Sequence, residues 1–475
     1  MANETRYDVI VIGSGAASKI TRPAASKGFK VAIIERGPLG GTCLNRGCIP
    51  SKMLIHPADV VSEIRGAAKF NIHVPCVEQL TVDKAKLVTR VCESIDADSA
   101  SIVPLLENHP GVTLYRGDAT FVGPKKVQVN GKILVGDKIF VVAGCKASIP
   151  DLPGLQGTPY ITYAEALRDK TAPKTLLVIG GGYIAMELGY YYSRTGSTVD
   201  FLVRSRMLNA EDEEVRDHFE KLFEAEHPGR IHFGEVPTKV SYSPGQKLFT
   251  VETKHKTTGA VQTRTAESLF VATGVVPCTD TLNLAATGVK VDKRGFIVVD
   301  NAFRTSQEGI YAFGDIIGRH LFRHTANYEG EWVFNSVFVD QSLAAKGIDY
   351  PPVPHAVFTH PQVGGVGLTT EKAIERFGGA DKIVVGRCDY EDVAMGQALL
   401  AEEGTFLKLI FEKASRKLVG AHGVGHEIST MIHMCIAYCK MGATLEDMLD
   451  TIYIHPALPE IVRNAARDAK EAFDG

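Results

Sequence analysis

The chain has 475 residues, too many for one hydrophobic core, and its length fits roughly three domains. Its 45% hydrophobic and 23% charged content is that of an ordinary globular protein, and a net charge of −3 gives a nucleic-acid or anionic-membrane partner no electrostatic support. No apolar run approaches the ~20 residues that span a bilayer, and MANETRYD has no apolar signal core, so a cytoplasmic protein is expected.

In chain order, "YDVIVIGSGAAS" (7–18) reads as a buried strand, a glycine turn and a helix from near Ala16 to about Lys27, followed by the strand "KVAIIER" (30–36). Gly13 and Gly15 would let backbone approach a pyrophosphate at the helix N-terminus, and Glu35 ends the next strand where a carboxylate holds a ribose hydroxyl. Ser18 replaces the third glycine of the pattern. The unit returns at "KTLLVIGGGYIAMELG" (174–189) and "TVDFLVR" (198–204), with Gly180, Gly182 and Ala185 in the turn. No acid stands at the second ribose position; Arg204 and Arg206 follow it instead and would suit the 2′-phosphate of NADP, although exposed arginines are also ordinary surface. The acidic "EDEEVRDHFEKLFEAEH" (211–227) has the spacing of a solvated helix face. Two repeated βαβ units predict an α/β fold with two doubly wound dinucleotide-binding domains. Proline-rich breaks at 148–159 and 347–361 separate them from each other and from an α+β region at the C-terminus.

"GGTCLNRGCIPSK" (40–52) sets Cys43 and Cys48 in a glycine-rich, cationic stretch. Nothing nearby completes a zinc site of about four ligands, and no metal is expected. As an ideal helix the segment would rise about 7.5 Å, beyond the ~7 Å a disulfide tolerates between Cα atoms, so bridging needs a distorted turn at Gly47. Such a bridge is a poor staple and an easily reduced one, which favours a redox pair. The other cysteines, including Cys435 and Cys439 one helical turn apart, read as buried thiols. Two dinucleotides would supply the electrons. "IHPALPEIV" offers His455 with Glu460 as the acid/base for the thiols.

With these motifs in order, and with "ATG" (272–274), "AFGD" (312–315) and "FTHPQVGGVG" (358–367) between them, the chain resembles the FAD-dependent pyridine nucleotide–disulfide oxidoreductases over essentially its whole length. The resemblance implies an FAD-binding domain in two parts (1–152 and 277–349), an NAD(P)-binding domain (153–276) and a dimerisation domain (350–475). It implies that Cys43 attacks substrate, that Cys48 lies against the flavin, and that Lys52 sits near flavin N5 paired with Glu187. FAD would contact Gly13, Ser14, Gly15, Ala16, Glu35, Arg36, Gly41, Thr42, Lys52, Ala119, Gly144 and Asp315. NAD(P)H would contact Gly180, Gly182, Tyr183, Ile184, Glu187, Arg204, Arg206 and Gly274.

His455, oriented by Glu460, would act across a homodimer with shared active sites, in cell redox homeostasis. Three departures stand out: Ala143 where threonine is usual, Ser18, and an "HPALPE" without the threonine that commonly follows His-Pro. A C-terminal "AKEAFDG" without a cysteine pair argues against mercuric reductase. The substrate narrows to a small dithiol or disulfide, either lipoamide borne on a protein or a low-molecular-weight thiol resembling mycothione. An NAD(P)H oxidase or peroxidase on the same fold would use one cysteine, and a non-catalytic flavoprotein subunit would tolerate damage at these positions; the intact pair speaks against both.

Overall fold

The computed structural model describes residues 4–475. β1 (Glu4–Ile12), β2 (Val31–Glu35) and β3 (Val112–Arg116) are parallel neighbours; β4 (Thr120–Gly123) and β5 (Lys126–Val129) lead by antiparallel pairing into β6 (Lys132–Val141), which returns beside β1. The far end of β6 is joined by Ile310–Ala312, so chain some 170 residues later completes the same sheet just before Asp315. Runs such as Val9 to Ile12 and Val31 to Ile34 are buried on both faces, as a parallel sheet covered by helices requires.

The helix after Gly13 differs from the expectation. A 3-10 turn covers Ala16–Lys19, and α1 begins afresh at Thr21–Ser26. Pro23 explains the interruption: it has no N–H to give Lys19 and its ring crowds that carbonyl.

The second unit is a parallel four-stranded sheet in the order Ile231–Phe233, Thr198–Val203, Thr175–Ile179, Ser268–Val271, beside an antiparallel three-stranded one (Glu235–Ser243, Leu248–His255, Val261–Ala266). From Pro354 onward an antiparallel five-stranded sheet carries the helices Ile428–Met441 and Glu460–Asp474. The three bodies share packing: Leu54, Ile55 and Ala58 of the helix that begins at Cys48 join Met186, Tyr190, Val357 and Val363 in one core. That helix therefore rests its apolar face on both other units, and its first turn faces the cavity described next.

Candidate active site

A short helix and a long one meet at Gly47: α2 (Gly41–Arg46) carries Cys43, and α3 (Cys48–Gly66) starts on Cys48. Gly47 has φ −150° and ψ −121°, which breaks the helical rise and folds the two side chains together, and a Cβ there would lie 3.0 Å from the Thr42 carbonyl. Both cysteines are thiols in side-chain contact. Their ionisation is unequal. Cys43 is pushed up, first by its hydrogen bond to Cys48 and then by burial; Cys48 is drawn down to about 7 by that same hydrogen bond, against burial and with the help of Lys52. The first proton to leave the pair leaves Cys48, and Cys43 donates to the thiolate.

Lys52 stands one turn along α3, its Nζ 2.7 Å from Glu187 Oε2 and 4.4 Å from the centroid of the Phe358 ring. Glu187 is buried, on the helix Tyr183–Arg194, and its second oxygen accepts from the Phe358 N–H at 3.0 Å. Both carboxylate oxygens are thus engaged, and the lysine charge is fixed at the edge of the cysteine pair.

A cavity of about 710 Å³ runs from Glu35 and Arg36, along Gly13 to Ala16, past Gly41 and Thr42, to Cys43, Cys48, Gly144 and Asp315. Its volume is that of a cofactor pocket, and its wall combines the Glu35–Arg36 acid and base with the cysteine sulfurs. Its glycines are required by geometry: Gly13 has φ +98°, and a Cβ there would stand 2.6 Å from the Val142 carbonyl oxygen, while a Cβ on Gly41 would meet Gly15 Cα at 2.4 Å. Gly13→Ala should cost about 2–4 kcal/mol through the left-handed backbone and the clash, read as a lower urea midpoint at unchanged slope. Glu35 Oε2 accepts from Ser14 N and Oε1 from Gly37 N, both at 2.8 Å, which holds its carboxylate at the rim. Burial raises the Asp315 carboxyl to about 6 against the pull of Arg323. The residues present fit FAD. Of the twelve expected around it, Lys52 and Ala119 lie off the cavity lining, Ala119 being buried in the sheet's core.

In the second unit, Gly180 has φ +144° and no room for a Cβ (2.3 Å from the Ala272 carbonyl), whereas Gly182, at the N-cap of Tyr183–Arg194, opens onto clear space, as does Gly274. The two arginines part company. Arg204 is exposed at the strand end, but Arg206 is claimed by Glu220 (2.7 Å) and Asp217 of the following helix, so only one of the pair is free for a phosphate.

The acidic stretch is likewise not all solvated face. Glu211 and Asp212 are buried, Glu211 between Tyr183 and His355, Asp212 against Lys408, and the amphipathic helix begins only at Glu213. His355 and Lys408 come from more than 140 residues away in sequence, beyond the reach of local periodicity.

His455 Nδ1 lies 3.0 Å from each oxygen of Glu460; the histidine side chain is 71% exposed, the glutamate 4%. Burial alone would push the Glu460 carboxyl up, but the His455 hydrogen bond, the Ala457 N–H and Arg463 hold it below the usual range. Within one chain His455 does not line the cavity that holds Cys43 and Cys48. It is flanked by Ile452 and Ile454, 97% and 81% exposed, an apolar edge of the kind that marks a protein interface.

Sequence reading missed Arg323. It lines the cavity, acts electrostatically on both Cys43 and Asp315, and could have been sought as a base just beyond the "AFGD" turn.

A parallel-sheet cavity ending on an asymmetric cysteine pair, with a second nucleotide-type turn behind it, defines a two-nucleotide disulfide oxidoreductase. The chain belongs to the pyridine nucleotide–disulphide oxidoreductase family, whose model matches residues 7–330, with the family's dimerisation domain at residues 353–466. The family uses FAD and NAD(P)H. Dihydrolipoyl dehydrogenase of Chlorobaculum tepidum is 34% identical, over 98% of each chain. Mycothione reductase of Mycobacterium tuberculosis is also 34% identical, over 97% of this chain and 98% of its own. Mercuric reductase of Staphylococcus aureus is 33% identical, over 97% of this chain and 82% of its own. The flavoprotein disulfide reductase RclA of Escherichia coli shares the fold, with a TM-score of 0.83 at 24% identity over 98% and 99% of the two chains. No helix among the described residues is long and apolar enough to cross a membrane.

Proposed function

We propose that the protein is a cytoplasmic homodimer that reduces a small disulfide with NADPH, in the manner suggested by its likeness to mycothione reductase. The observation that carries the reading is the cysteine pair brought together at Gly47 on the wall of one cavity, with the Lys52–Glu187 ion pair one turn along the helix. FAD, which Gly13 to Ala16, Glu35 and Asp315 would hold, would supply two-electron carrier chemistry between the nicotinamide and the Cys43–Cys48 disulfide. The chain's residues do the rest. His455 takes the Cys43 proton; the Cys43 sulfur attacks the substrate disulfide, forming a mixed disulfide and expelling one thiolate, which His455 protonates. Cys48 then attacks Cys43, releasing the second substrate thiolate for protonation and leaving the Cys43–Cys48 disulfide. Glu187 holds the Lys52 ammonium beside Cys48 throughout, and Glu460 holds the His455 ring.

A second reading, an NADH-linked dihydrolipoyl dehydrogenase, is favoured by the pairing of Arg206 with Glu220 and Asp217, which leaves only Arg204 for a 2′-phosphate. Anaerobic titration with each nucleotide separates them. NADPH should produce the long-wavelength band of a thiolate beside an oxidised flavin at lower concentration than NADH, and Arg204→Ala should erase that preference by about tenfold. Preference for NADH in the native protein would move the assignment to lipoamide.

A further inference from the structure

One cluster of ligand-type side chains lies outside the machinery above. Glu211 precedes the helix Glu213–Glu226; His355 lies on the strand Pro354–Val357, and His422 on Leu418–Gly425. One donor atom from each falls within 4.8 Å of the other two. His355 Nε2 is 2.7 Å from Glu211 Oε2. His422 Nε2 is 2.9 Å from the Leu368 carbonyl oxygen. A carbonyl can only accept, so the neutral ring carries its proton on Nε2 and leaves a bare lone pair on Nδ1.

That Nδ1 is buried and has no hydrogen-bond partner, in a residue only 1% exposed. It points at the other two groups. A Cβ on Gly365 would lie 2.3 Å from His422 Nδ1 and 2.8 Å from His355 Nε2, so both nitrogens face the one spot that a glycine leaves clear.

We propose that Glu211, His355 and His422 form a binding site for a divalent transition-metal ion of the zinc type, at the seam between the nucleotide-binding unit and the C-terminal sheet. Two imidazoles and a carboxylate suit such an ion, and a backbone carbonyl fixing the far nitrogen of a ligating histidine is the usual outer-shell arrangement. Ligands at zinc distances stand roughly 3.4 Å apart in a tetrahedron, so the three close on an ion with shifts of about 1 Å. His355 must then carry its proton on Nδ1, and the fourth position is left to water. Glu211 keeps its second oxygen on the Tyr183 hydroxyl, so the ion would be coupled to the residue that opens the nucleotide-binding helix.

A purely structural His–Glu pair explains the His355 contact but leaves the His422 lone pair buried with nothing to bind. The site differs from a second cluster, Glu226, His360 and Glu402, whose members are all partly exposed.

The test uses the FAD-loaded protein with Cys43→Ser and Cys48→Ser, so that the redox thiols cannot take the metal. After chelator treatment, equilibrium dialysis against zinc alone should give one ion per chain beyond anything removed by His360→Gln. His422→Gln and His355→Gln should each weaken binding by about tenfold or more. If His422→Gln fails to fold, the half-buried His355→Gln decides. The proposal is overturned by a protein that binds no stoichiometric zinc, or by zinc that survives both substitutions or is lost with His360→Gln instead. Either result leaves the disulfide chemistry untouched, since the thiols are absent from the assay.

Discussion

Replacing Cys48 with serine should lower steady-state disulfide reduction by roughly four orders of magnitude while FAD stays bound, because the second half of the exchange loses its nucleophile. The geometry makes the loss specific. Cys43 remains on α2 with its approach to substrate intact, so the variant should still attack once, releasing one thiol equivalent per chain and stopping as a mixed disulfide. A single-turnover thiol count, with intact mass, reads this directly. The pH dependence has a defined sign. Cys48 is drawn down to about 7 by the Cys43 hydrogen bond, so below that pH the reduced pair holds both protons and above it Cys48 is a thiolate. Thiolate absorbance of the reduced native protein should therefore rise with an inflection near 7, and Cys48→Ser should remove that inflection. Turnover within tenfold of native, or an inflection that survives the substitution, would show that Cys48 does not resolve the exchange.

The sequence made the glycine turns legible because their constraint is local: Gly13 and Gly180 need a backbone conformation and a close approach that other residues refuse. It also pointed to Gly47 as the place where Cys43 and Cys48 must bend together, since an uninterrupted helix would keep them too far apart; the observed break is at that residue. What it could not show were partners supplied by distant chain. Arg206 looked free because Asp217 and Glu220 reach it only once the next helix has packed. Glu211 and Asp212 looked like the start of a solvated face, yet His355 and Lys408 arrive from the C-terminal sheet and bury them. Arg323 carries no motif of its own and becomes visible only when the helix Arg323–Phe338 sets it over the cavity. Periodicity registers what a segment buries against its own neighbours, and says little about a charge neutralised from another domain.

His455→Ala should cost 10²- to 10⁴-fold in disulfide reduction, the range expected for losing a positioned acid/base, while nucleotide reduction of the cysteine pair proceeds at close to the native rate. The split follows from the role proposed for the histidine: it protonates substrate thiolates and takes the Cys43 proton during exchange, whereas the single proton that Cys43 gains when nicotinamide reduces the enzyme can come from solvent. Glu460→Gln should fall less, by about ten- to a hundredfold, since the amide can still meet Nδ1 but cannot hold the charge that keeps the ring oriented and protonatable. The carboxylate's own contribution to stability is present above its ordinary 4.5 and disappears as pH falls through its lowered value, so acid unfolding of Glu460→Gln should be less steep. Within one chain His455 is exposed, follows the exposed Ile452 and Ile454, and does not line the cavity that holds Cys43, so the proposed chemistry calls for the histidine of a partner subunit. Co-expressing His455→Ala with Cys43→Ser tests this. Each homodimer is inactive, yet a statistical mixture contains heterodimers with one intact site, and about a quarter of native activity should return. No recovery in purified heterodimers would mean that His455 serves the Cys43 of its own chain, and the dimeric active site would have to be abandoned.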